Sequence, residues 1–67
     1  MSVAKVTEII CSSPKSFKDA IETGIARAHK TLKGIQDAWV KDQSLALEDG
    51  VIKEYRVILK VTFILTD

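Results

Sequence analysis

Sixty-seven residues with one cysteine and one histidine make a single small domain, residues 1–67, that an internal disulfide or a four-ligand structural zinc site cannot staple. Ten Lys plus Arg against nine Asp plus Glu leave a net charge of +1, with no basic footprint for nucleic acid. The best apolar run is broken by Lys60 and falls short of the roughly 18–20 residues that cross a bilayer, and Met1-Ser2-Val3-Ala4-Lys5 does not read as a signal peptide, so the cytoplasm is the expected compartment.

In chain order, Val3 to Ile10 is predicted to be a strand, rich in β-branched residues. In Cys11-Ser12-Ser13-Pro14, Ser13 reads as a helix N-cap and Pro14 as the first helical residue. Phe17, Ala20, Ile21, Gly24, Ile25, Ala28 and Leu32 then recur at spacings of three and four. They form one apolar stripe on a helix of about twenty residues, with Gly34 as its left-handed stop. The small residues Ala20, Gly24 and Ala28 admit close approach of a sheet.

Ile35 to Glu48 is predicted to be a second strand, and Asp49-Gly50 a two-residue type I′ turn. Val51 to Thr66 is the third strand. Tyr55, Val57, Leu59, Val61, Phe63 and Leu65 share one face, while Glu54, Arg56, Ile58, Lys60, Thr62 and Ile64 make a mixed second face. The turn fixes a register in which opposed positions sum to 99. Val40 then meets Leu59, Ala38 meets Val61, Trp39 meets Lys60, Lys41 meets Ile58 and Gln43 meets Arg56. A third strand of roughly 50 Å outruns a helix of about 30 Å. The overhang and the apolar content of the second face both imply burial against further copies of the chain. The fold class is α+β: a β-α-β-β unit with a three-stranded antiparallel sheet packed on one helix.

This layout resembles the dodecins over essentially the full length. The residues carrying the likeness are Val3 to Ile10, Ser13 to Phe17, Ala26-Arg27-Ala28 with Thr31-Leu32, Val40 to Gln43, and Tyr55 to Phe63. The resemblance implies a hollow homododecamer that stores a small molecule or cation, with flavins stacked in pairs between tryptophans at two-fold axes. It also places the stacking tryptophan at Asp37, the flavin-binding glutamine at Arg56 and a nearby acidic position at Ala46. These three departures make the chain similar to dodecins that keep the shell and lack the flavin clamp.

The ligand-binding candidates are therefore Asp37, Trp39, Gln43 and Arg56, and Asp37 is the metal candidate. Trp39 either stacks a ligand in a shifted pocket or packs at a subunit contact, with Lys60 supplying a cation–π interaction. Asp37 either recruits a divalent cation beside its symmetry mate, pairs with Arg56 of a neighbouring copy, or is solvated. Arg56 either grips an anionic group in bidentate fashion or serves as an ion-pair partner. The cofactor is left unknown: a divalent cation is admitted, and a flavin is the disfavoured alternative.

Cys11 near a helix start has no histidine or acid spaced to work with it and reads as a packing residue. His29 reads as a residue of a solvated helix face, and Glu48 and Asp49 as turn residues that fall short of a calcium loop. No nucleophile–base pair, metal triad or phosphate-cradling loop is present, so no enzyme is expected. The expected function is a binding or storage shell. The alternatives are a flavin-binding shell using Trp39 and an assembly module without a ligand.

Overall fold

The computed structural model describes residues 3–65. The chain runs β1 (Val3–Ser13), α1 (Phe17–Thr31), β2 (Ile35–Glu48) and β3 (Val51–Leu65). β3 lies between β1 and β2, antiparallel to both. The fold class is the expected one, and the predicted end of β3 at Thr66 lies outside the described residues.

Two boundaries at the strand-to-helix junction differ from the sequence reading. β1 continues to Ser13, and the helix starts after Ser16; because it also ends at Thr31, with Leu32 as its C-cap rather than a helical residue, it has 15 residues rather than about twenty. The reason is local. The residue before a proline is pushed out of helical geometry, which keeps Ser13 extended and able to pair with Tyr55. The true N-cap is Ser16, in extended backbone, whose Oγ accepts the Asp19 N–H at 2.9 Å. Ser13 is instead a buried tie across the junction. Its hydroxyl donates to Asp19 Oδ2 at 2.6 Å and accepts the Lys15 N–H at 3.0 Å.

The helix presses its small-residue face on the sheet. Ala20 and Ala28 are buried, and a Cβ built on Gly24 would fall inside the Cys11 Sγ. Val57, Leu59 and Val61 of β3 are fully buried beneath this face, with Phe17, Ile21, Ile25, Ile9 and Ile35 around them. Phe17 meets Tyr55 edge to face, with ring centroids 5.1 Å apart. Gly34 takes positive φ as the chain leaves the helix, and its carbonyl accepts the Ile64 N–H at 3.2 Å.

The hairpin turns as predicted, with φ of 51° at Asp49 and 75° at Gly50, as a type I′ turn requires. Glu48 faces Val51, Trp39 faces Lys60 and Val40 faces Leu59. Between these ends the register departs from the sum of 99. Lys41 is an extra residue in β2, so Asp42 faces Ile58, Gln43 faces Val57 and Ser44 faces Arg56. The expected pairs of Lys41 with Ile58 and Gln43 with Arg56 are therefore corrected. A second extra residue, Lys53 in β3, cancels the first before the turn. Alternation alone misses such a pair, because the phase is right on either side of it; a third shift, at Gln36, pairs Ile35 with Phe63 at the start of β2.

The helix packs mainly on β1 and β3, and β2 joins the core at Ile35. The molecule is 52 Å long against 19 and 13 Å in its other directions, so the hairpin projects well past the helix.

Candidate functional site

The sheet face away from the helix is open. Directly opposed residues share a face, so the register assigns its members. β3 contributes Glu54, Arg56, Ile58, Lys60 and Thr62. β1 sets Ile10 against Ile58 and Glu8 against Lys60, and β2 sets Asp42 against Ile58, Trp39 against Lys60 and Asp37 against Thr62. Ile10 is 74% exposed and Trp39 68%, high values for large apolar side chains in a sheet.

Charged groups organise the middle of this face. Lys60 lies between Glu8 and Trp39, and its Nζ is 5.6 Å from the indole centroid, the expected cation–π contact. Lys41, freed from the ladder by the bulge, reaches across the central strand to Glu8, with Nζ 3.1 Å from Oε1. Both partners are about half exposed, so the pair contributes little on its own. Arg56 is paired along its own strand with Glu54, at 3.5 Å.

The four candidate residues do not gather in one chain. Asp37 and Trp39 alternate on the open face and lie side by side. Arg56 is on that face too, but six rungs along β3 from Thr62, roughly 20 Å from Asp37. An ion pair between Asp37 and Arg56 therefore requires two copies. Gln43 faces Val57, which places it on the helix side, away from Trp39. Glu8 and Lys41, which span the face, were not singled out. Their link depends on β1 lying next to β3 and on the bulge, and neither is written in a local pattern.

Cys11 is not at the helix start. It belongs to β1 under the middle of the helix, is only 6% exposed, and burial pushes its thiol pKa up. That is the packing role expected of it. Among the described residues there is no group of three or more His, Cys, Asp or Glu able to hold a metal, and no helix long and apolar enough to cross a membrane.

A β-α-β-β unit covered by its helix on one sheet face presents the other face as a broad exposed surface. A family model described as dodecin matches residues 3–66, and the chain belongs to the dodecin family. It is 36% identical over 63 residues to a protein named calcium dodecin from Mycobacterium tuberculosis, covering 94% of this chain and 89% of that one. It is 34% identical over 61 residues to a protein named dodecin from Thermus thermophilus, covering 91% and 88%.

Among solved structures, dodecin from Streptomyces davaonensis superposes with a TM-score of 0.94 at 35% identity, covering 98% of this chain and 97% of that one. The Mycobacterium tuberculosis calcium dodecin, described as calcium chelating with a novel calcium-binding site, gives 0.85 at 36% identity, covering 97% and 93%.

Proposed function

We propose that this chain forms a hollow shell of about twelve copies that stores a small ligand or ion and catalyses nothing, with a cation at Asp37 favoured over a flavin. The observation that carries this reading is the position of Asp37. It is exposed on the open face, where the family resemblance calls for a stacking tryptophan, and no salt bridge engages it among the described residues. A carboxylate offers no π surface to a flavin. When copies meet, clustered carboxylates either bind protons more tightly or take up a cation. The calcium-named relative supports the second outcome. The unpaired Cys11 fits a reducing compartment such as the cytoplasm.

A second reading rests on the exposed Trp39 beside Lys60, which would stack a flavin in a shifted pocket. Two titrations decide. Calcium added to metal-free protein in a calorimeter is expected to give saturable heat that Asp37→Asn abolishes. Riboflavin fluorescence is expected to be barely quenched by the unmodified chain. Asp37→Trp with Arg56→Gln should improve quenching by about two orders of magnitude, since symmetry-related aromatic contacts contribute about 0.5–1.5 kcal/mol each beyond area burial. Tight quenching by the unmodified chain, lost in Trp39→Ala, would establish the second reading. Silence in both titrations would leave an assembly module without a ligand.

A further inference from the structure

A cleft between β1 and α1 lies away from Asp37, on the helix side of the sheet. Three rows of side chains build it. Residues two apart on a strand share a face, so Ile9 and Cys11 point together toward the helix. Residues four apart on a helix stack, so Gly24 and Ala28, continued by the cap residue Leu32, form the facing row. Arg27 and Thr31 form the row beside it, at the rim. Gly24 brings no side chain and Ala28 only a methyl. β1 is an edge strand, so no further element of the chain closes the space. What remains is a mostly apolar cleft of about 250 Å³.

Size and charge together define an occupant. An apolar cavity of about 150 Å³ admits benzene, so this one has room for roughly ten non-hydrogen atoms. It is open on one side, so an occupant with a polar end can keep that end at the rim. The rim is positive: Arg27 lines it, Lys30 and Lys33 follow, and no acidic residue lies between Glu22 and Asp37. Arg27 is in no salt bridge among the described residues, and the Thr31 hydroxyl already donates to the Ala28 carbonyl at 3.3 Å. The guanidinium is thus the donor left at the mouth, and its fork fits a carboxylate. We propose that the β1–α1 cleft binds an aliphatic monocarboxylate of about eight carbons, its chain in the trough over Cys11 and its carboxylate on Arg27. The site is separate from Asp37 and Trp39 and stands whichever ligand the open face takes.

The experiment is calorimetric titration of the purified full-length protein with sodium octanoate and, beside it, with octan-1-ol, which has the same chain and no charge. The expected result is saturable octanoate binding, near one molecule per chain. Arg27→Gln should weaken it by about tenfold or more, as loss of a charge-assisted hydrogen bond does, and leave octanol binding unchanged. Arg27 is exposed, so the variant is expected to keep the circular dichroism of the parent. Added salt should weaken octanoate binding and spare octanol, because the ion pair sits at an open rim. Location is read separately. Cys11 lines the cleft, so bound octanoate is expected to slow alkylation of its thiol by iodoacetamide. Equal octanoate affinity in the parent and in Arg27→Gln would overturn the proposal, as would an alkylation rate that octanoate leaves unchanged. Failure of both ligands to bind would overturn it too, and would mean that a neighbouring copy fills the cleft.

Discussion

Cys11 and Gly24 show how tightly the helix is set on the sheet. The thiol occupies the space that a side chain at position 24 would need. Gly24→Ala is therefore expected to destabilise the protein by about 1–3 kcal/mol, as overpacking does, although alanine is the better helix former. Cys11→Ala removes the sulfur and should recover part of that loss, a coupling that denaturant melts of the two single variants and the double variant would read. Equal losses for Gly24→Ala with and without the sulfur would mean that the helix shifts instead. The sequence announces Gly24 as a small residue on the apolar stripe, and its partner follows only from the crossing of β1 beneath the helix. The Trp39–Lys60 contact was legible because a two-residue turn determines which residues oppose each other nearby. Lys41 was not, because a bulge leaves no mark in composition.

At the scale of elements, the period-two face of β3 was the plainest signal, and the structure buries Val57, Leu59 and Val61 where that period puts them. Leu59→Ala should cost about 2–5 kcal/mol, since the cavity lies under the helix and cannot easily collapse. Thermal or urea unfolding checks this, and a loss below about 1 kcal/mol would mean that the helix does not rest on Leu59. Val40, its partner across the ladder, is 39% exposed. Pairing is readable, but cover is not, because the helix leans over β1 and β3 and leaves Val40 of β2 partly open. The helix start was misplaced for a related reason. Two serines and a proline each look like a start signal, and the choice among them is made by Ser13 pairing with Tyr55 on a strand forty residues later. Asp37 and Trp39 do share a face, but a one-residue bulge sends Gln43 to the other side.

For the whole molecule, length and overhang imply partners, and β2 and the open face leave apolar residues such as Trp39 and Ile10 exposed. Two of the three irregularities in the β2–β3 ladder, at Lys41 and Lys53, bear on how many copies a shell holds. Lys41 and Lys53 are single insertions that invert the alternation of the residues between them, restore it beyond, and add local twist to the hairpin. Their joint effect is angular: they aim the projecting end of the hairpin relative to the body of the chain. In a closed assembly that angle sets the curvature, and curvature sets the number of copies. Deleting Lys41 should leave a folded monomer, with Val40 still opposite Leu59 and Asp42 still opposite Ile58. What should change is the particle, to a different count or an unclosed string, as native mass spectrometry of the deletion beside the parent would show. An unchanged mass would assign the curvature to the helix side instead. A lysine that no motif would flag then works as a setting of radius.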